Sequence, residues 1–232
     1  MAWFIEWKDE IVETFYKCFI REDRYKLLLD GIGVTVKVSL LAVVIGIIIG
    51  LLIALCNLSK NKGLNFFGKI YTDVIRGTPS VTQLMIIYFV VFATVDWEKW
   101  IIAAIAFGIN SGAYVSEIIR AGILSIDKGQ TEAGRSLGLS GAQTMGSIVI
   151  PQAVKNIFPA LCNEFIVLIK ETAIVGYIGL MDIQKAGDFI KSATFEAFMP
   201  LIGTAIIYFV LIKILTVSLG FVEKSLRKSE VR

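Results

Sequence analysis

Residues 127–159 read DKGQTEAGRSLGLSGAQTMGSIVIPQAVKNIFP, from Asp127 to Pro159. This stretch is too polar for lipid, and it lies between hydrophobic runs that are not. Glu132-Ala133-Gly134 is expected to open a short helix, with the acid in its first turn where the macrodipole favours it. Arg135 follows three residues later on the same face. Gly138 is placed to end that helix in the left-handed conformation. Ser140 can cap a second helix, with Gln143 three residues on as its capping-box partner. Pro151 and Pro159 are expected to mark later breaks or kinks. The stretch reads as a helix–turn–helix loop held outside a bilayer between two spans.

The rest of the chain supports that setting. Of 232 residues, 56% are hydrophobic and 19% are charged, which is a membrane composition. Lipid-exposed backbone must satisfy its own hydrogen bonds, so an all-α integral membrane protein is expected. The net charge of +3 identifies no partner, and no basic cluster with interleaved aromatics points to nucleic acid. Cys18, Cys56 and Cys162 are scattered and odd in number, which gives no disulfide framework. There is no histidine, the commonest metal ligand and general base, and no metal site is expected. The N-terminus carries acids and no short apolar core before a cleavage site, so no signal peptide is read there.

Residues 1–30 place Trp3, Phe4, Trp7, Ile11, Phe15, Tyr16 and Phe19 at helical spacing among charges. That pattern suits an amphipathic helix in the membrane interface, or a short helix packed on the rest of the protein. Five spans follow. The first runs near Thr35 to Leu58, where Gly46 and Gly50 form a GxxxG pair that lets another helix approach, or are the glycine that transmembrane helices commonly carry. Ser59 to Lys69 reads as a basic loop. The second span is interrupted at Arg76-Gly77-Thr78-Pro79, and its main half is Pro79 to Val95. After a turn at Asp96 to Lys99, the third covers about Trp100 to Ile119. The fourth lies near Ile157 to Leu180, residues 181–196 form a polar loop, and the fifth is Ala197 to about Val222. The domains are therefore 1–30, a membrane-spanning body at 31–223 with a loop at 125–156, and a basic tail at 224–232. Loops 59–69 and 120–156 and the tail hold eleven lysines and arginines, against three in 96–99 and 181–196. The richer set should face the cytoplasm, with the N-terminus outside and the tail inside. The basic residues among 1–30 run against this, and the asymmetry of the other loops decides.

Glu132-Ala133-Gly134, Gly138 and Ile150-Pro151-Gln152-Ala153 resemble the EAA loop of ABC-importer permeases. Ile75-Arg76-Gly77-Thr78-Pro79 and Asn163-Glu164-Phe165-Ile166 resemble the polar amino acid branch. The resemblance covers the chain from about Gly31 onward. It departs at Gly134, where the family usually has alanine. Glycine weakens a helix by ~1 kcal/mol against alanine, so a softer helix is expected there. The resemblance implies a type I importer architecture in a prokaryotic inner membrane. It implies a second permease copy or paralogue, two cytoplasmic ATPases and an extracytoplasmic amino-acid-binding protein. Glu132, Ala133, Gly134, Arg135 and Gly138 would couple to the ATPase. ATP and Mg would sit on that partner, because no Gly-rich phosphate loop occurs in this chain and no cofactor is expected in it. No nucleophile–base pair supports an enzyme.

Ionisable residues inside a membrane are costly and usually face a cavity or partner. Glu164 is the first candidate for substrate, since a carboxylate can hold an ammonium or guanidinium group. The alternative is a structural acid beside Asn163. A half-helix starting at Pro79 points free N–H groups inward, and such ends hold carboxylates in broken transporter helices. Thr78 would add a hydroxyl, unless the break is a plain kink. Asn110 and Tyr114 complete the candidate set. Lys170 and Glu171 are adjacent and share no helix face, so they are expected to pair with other helices or a second permease chain; Arg76 is expected to snorkel, and Lys213 to snorkel or reach a partner. The rival readings are an ATP-independent secondary transporter or channel, and a non-transporting scaffold. Absence of a visible repeat weighs against the first, and polar residues within the spans against the second.

Overall fold

The computed structural model describes residues 2–227, and every regular element among them is helical. In chain order the α-helices are α1 (Ala2–Phe15), α2 (Tyr25–Leu58), α3 (Lys62–Arg76), α4 (Ser80–Ile86), α5 (Lys99–Leu124), α6 (Lys128–Ser136), α7 (Gly141–Thr144), α8 (Ile150–Glu171), α9 (Ile183–Thr194) and α10 (Phe198–Arg227). Residues 228–232, which carry part of the basic tail, lie outside the described residues, as do the side chains of Trp3, Phe4 and Trp7.

The centre of the fold is the packing of α2 on α5, the most extensive helix pair. Gly46 and Gly50 do allow the close approach their spacing suggests, and α5 answers with its own pair, Gly108 and Gly112. A Cβ on Gly50 would lie 2.5 Å from Val115 Cγ1, and one on Gly108 would lie 2.5 Å from Ile45 Cγ2. Ile45 therefore meets Gly108, Ile49 meets Gly112, and Gly50 meets Val115. The numbers rise together, so the two helices run parallel. Val38, Ala42, Leu84, Ala103, Ala106, Phe107 and Leu168 pack into one buried cluster around this contact.

Parallel packing has a topological consequence. The chain leaves α2 at one end and enters α5 at the other, so α3 and α4 must carry it back between them. They do so as two helical segments bent by 104°. Asn61 caps α3 by accepting from Gly63 and Leu64 N–H, and Pro79 stands at the start of α4. The interruption read at Arg76-Gly77-Thr78-Pro79 is thus a sharp corner. On the other side of α5, Ile157 crowds Gly122 and Glu164 reaches Ser111. These numbers move in opposite directions, so α8 is antiparallel to α5. By length and composition α2, α5 and α10 can each cross a membrane, and the bent α3–α4 pair makes a fourth if counted as one span. α8 has 22 residues, but Lys155, Glu164, Lys170 and Glu171 make it less apolar than the others.

Several sequence expectations are corrected here. The first long helix starts at Tyr25, inside the expected amphipathic segment 1–30. Glu22 and Asp23 have positive φ (59° and 54°) and break the chain just before it. Their carboxylates pair with Arg24 and Lys26 at 2.7 and 2.6 Å. The preceding turn Tyr16–Ile20 is packed on the body: Cys18 and Phe19 are buried, and Lys17 pairs with Glu196 at 2.8 Å. The basic loop shrinks to residues 59–61, because Asn61 starts α3 early. The expected polar loop 181–196 is largely a helix, α9. Asp182 caps it by accepting from Lys185 N–H, and Ile183, Ala186, Gly187, Ile190 and Thr194 form its buried stripe. Asp182 is itself fully buried, accepts from the Tyr208 hydroxyl at 2.9 Å, and has its carboxyl pushed up by burial.

Neither proline ends the helical course of the chain. A π-helical turn at Met145–Val149 widens the helix just before Pro151, which then occupies the first turn of α8. That is where a missing N–H costs least. Pro159 sits within α8, and the helix continues through it to Glu171.

Candidate functional site

The polar stretch outside the bundle is built as α6, a left-handed turn and α7. Asp127 accepts from Gly129 N–H and starts α6 at Lys128, four residues earlier than expected. Glu132 is therefore in mid-helix rather than in the first turn. Gly138 has φ +83° and ends the helix as its position suggests. Ser140 and Gln143 form the reciprocal capping box. Gly134 is the one buried residue of α6. A Cβ there would lie 2.8 Å from Thr144 Cγ2 and 2.9 Å from Ile148 Cδ1. Glycine at this position therefore serves close packing of α6 on the helix that follows, which is more specific than a softened helix. Every other residue of α6 that was singled out faces solvent: Glu132, Ala133 and Arg135 are exposed, as is Gly138. Arg135 donates to Leu139 O at 2.8 Å across the turn. Leu137 is 81% exposed, an apolar knob that sequence reasoning passed over. A leucine between Ser136 and Gly138 on a polar loop was the available signal.

The second group of polar residues lies inside the bundle and centres on α5. Asn110 is buried and donates through Nδ2 to Gln83 Oε1 at 2.9 Å. Gln83, on α4, donates in turn to Thr78 Oγ1 at 2.6 Å, Ile75 O at 2.8 Å and Thr78 O at 3.1 Å. One amide therefore seals the open carbonyl end of α3 across the 104° corner. The Thr78 hydroxyl donates to Val74 O at 2.8 Å. It is committed to the corner and does not stand free for an anion. Gln83 is the member of this polar group that the sequence reading missed, although a lone amide within the run Val81 to Val91 marks it.

Ser111, next to Asn110, donates to Glu164 Oε1 at 2.8 Å, and Glu164 is half-buried on α8. Glu171 lies two turns further along the same face of α8, also half-buried, while Lys170 is exposed. Tyr114, one turn beyond Asn110, is 36% exposed and lies beneath the Arg76 guanidinium, 5.4 Å from the ring centroid. Arg76 is thus held against an aromatic ring. Asn110, Ser111 and Tyr114 bring α4, α8 and α3 to one stretch of α5. Thr78 and Asn110 are joined through Gln83, and Glu164 joins through Ser111. The described residues contain no group of three acids, cysteines or histidines that could hold a metal.

A helical bundle with committed polar side chains among apolar helices, and a small polar helix outside it, is a membrane-embedded protein with a polar interior. The family model of binding-protein-dependent transport system inner membrane components matches residues 46–228, and the chain belongs to that family. It is 43% identical to a putative glutamine transport system permease protein of Rickettsia bellii, over 86% of this chain and 92% of that protein. It is 42% identical to an arginine transport system permease protein of Bacillus subtilis, over 88% of this chain and 94% of that one. Among solved structures, an amino acid ABC transporter crystallised with histidines superposes with a TM-score of 0.81. Identity there is 43%, over 89% of this chain and 98% of that chain. An inward-facing methionine ABC transporter, at 17% identity and a TM-score of 0.74, shares the fold.

Proposed function

We propose that the chain is the permease subunit of an ATP-driven amino-acid importer. What carries this reading is identity above 40%, over more than four-fifths of each chain, with permeases named for glutamine and for arginine. The polar stretch of α5 with Glu164 supports it, since a half-buried carboxylate suits an ammonium or guanidinium group. In this reading the subunit has no catalytic residues or cofactor of its own. ATP and Mg belong to two partner ATPases. A second permease chain and an extracytoplasmic binding protein complete the machine in a prokaryotic inner membrane.

The coupling element in this reading is α6 and its closing turn, with Glu132, Ala133, Arg135 and Gly138 exposed and Gly134 fastening α6 to the helix that follows. Glu132→Lys reverses an exposed charge, and Gly138→Val puts a β-branched residue at φ +83°. Both variants should insert normally. In proteoliposomes holding the permease, ATPase and loaded binding protein, both should lose most of the stimulated ATP hydrolysis. Uptake that persists with the ATPase omitted would favour a secondary transporter or channel and end this reading.

Five crossings fit the packing: α2, the bent α3–α4 pair, α5, α8 and α10. The antiparallel course of α8 beside α5 is the reason to count α8. The positive-inside rule then places α6 in the cytoplasm and α9 outside, with the N-terminus outside and the tail inside. In a background free of native cysteines, Lys62→Cys and Lys128→Cys should be protected from an impermeant thiol reagent in intact cells. Glu98→Cys and Ser192→Cys should react. The opposite pattern reverses the orientation.

A further inference from the structure

Apart from Arg76, the charged face of α3 is not used by anything described so far. Lys69, Thr72, Asp73 and Arg76 follow one another at helical spacing. With Asn57 and Asn65, and with Glu117 and Arg120 near the end of α5, they line a cavity of about 450 Å³. Its walls are the last turn of α2, the body of α3 and the last turns of α5. These meet at the end of the bundle that carries the basic loop and α6. A face this rich in charge cannot sit against hydrocarbon and must line water or a polar partner. The volume is that of a small-molecule site.

The charges decide what class of molecule fits. Glu117 and Arg120 are already paired at 2.8 Å. Arg76 lies over Tyr114 and leaves its guanidinium edge available. Lys69 and Asp73 are four residues apart, a spacing at which such side chains commonly pair. They form no ion pair here, with each other or with any other described residue. The cavity therefore offers an unpaired ammonium, an unpaired carboxylate and a guanidinium edge. A simple anion would face Asp73 and Glu117, and a simple cation would face Lys69, Arg76 and Arg120. A zwitterion satisfies both signs.

We propose that this cavity is a second, cytoplasm-facing subsite for a zwitterionic α-amino acid, with Lys69 and Arg76 taking the carboxylate and Asp73 the ammonium. It is separate from Glu164, which lies across α5 on α8. The subsite rests on the amino-acid permease reading, and it gives an imported molecule a polar foothold at the inner mouth before release. The test is equilibrium dialysis of radiolabelled L-arginine, and separately L-glutamine, against the assembled permease–ATPase complex in nanodiscs without binding protein. The expected result is two equivalents bound per permease chain. Asp73→Asn and Lys69→Gln should each weaken one equivalent by roughly tenfold or more and leave the other in place. Glu164→Gln should act on the other equivalent alone. Both α3 side chains are exposed, so these variants should assemble normally. One equivalent in the wild type, or two that both α3 variants leave unchanged, overturns the subsite. If uptake still depends on Glu164 in that case, the permease reading survives. Absence of any amino-acid uptake by the complete transporter overturns both.

Discussion

Leucine at both Gly50 and Gly112 is expected to leave no folded protein in the membrane. At Gly50 the first added carbon would come within 2.5 Å of Val115 Cγ1 and 2.6 Å of Val115 Cβ, with Gly112 O at 3.1 Å. At Gly112 it would come within 2.7 Å of Ile49 Cγ2 and 2.9 Å of Ile49 Cβ. Cβ atoms of β-branched residues are fixed to the backbone, so relief requires the helices to part. Overpacking of a well-packed core costs ~1–3 kcal/mol per site and occasionally more. Here the loss is larger, because packing between α2 and α5 is itself the main attraction. Between helices in lipid there is no hydrophobic drive to compensate, only close packing and polar contacts. Separation would also move Asn110 and Ser111 away from Gln83 and Glu164. A domain stable by ~5–15 kcal/mol has little margin for two such changes. The readout is the monodisperse fraction after detergent extraction, with thermal unfolding of what survives. Gly33→Leu is the control, since nothing lies within 4 Å of a Cβ there. A monodisperse double variant with wild-type thermal stability would show that this interface does not hold the fold.

The same interface shows what the sequence reveals and what it hides. Gly46 and Gly50 are legible because a GxxxG pair in an apolar helix lets a second backbone come close, but the answering Gly108 and Gly112 emerge only when the two helices are placed side by side. Gly138, Ser140 and Gln143 were readable for another reason: left-handed turns and capping boxes are local, and their chemistry lies within four residues. Where a longer-range contact decided, the reading failed. Residues 181–196 read as a polar loop because Gln184, Lys185, Asp188 and Lys191 interrupt their apolar residues. The buried stripe from Ile183 to Thr194 was present at helical spacing, but its value depends on the helix lying against α2 and α10. Asp127 outranked Glu132 as the start of α6, since an N-cap side chain fixes a helix start more firmly than an acid inside the first turn. For the interior, the polar positions Asn110, Glu164 and Thr78 stood out against apolar runs. Gln83 did not, nor did the pairing of Ser111 with Glu164, because which amide or hydroxyl completes a pair is set by the 104° corner and by the antiparallel course of α8.

Glu164→Gln is expected to reduce uptake of a cationic amino acid by roughly ten- to hundredfold while leaving assembly and basal ATP hydrolysis intact. The geometry makes the substitution a clean one. Glu164 Oε1 accepts one hydrogen bond, from Ser111 Oγ at 2.8 Å. Glutamine keeps the shape and an oxygen for that bond, so the link between α5 and α8 persists. What disappears is the charge on a half-buried side chain. A buried hydrogen bond to a charged group is worth ~1.5–3 kcal/mol, which converts to about ten- to hundredfold in affinity. A substrate with a side-chain ammonium or guanidinium would lose that interaction in full if its cation is what Glu164 holds. A neutral amino acid such as glutamine would lose it only through its α-ammonium group. The ratio of the two losses therefore reports which end of the substrate faces α8. A much larger loss for L-arginine than for L-glutamine places the side chain against Glu164, and equal losses place the backbone ammonium there. Uptake of both substrates at the wild-type rate would return Glu164 to a structural role, holding α8 to Ser111, and would move the search for the substrate contact to Glu171, two turns along the same helix face.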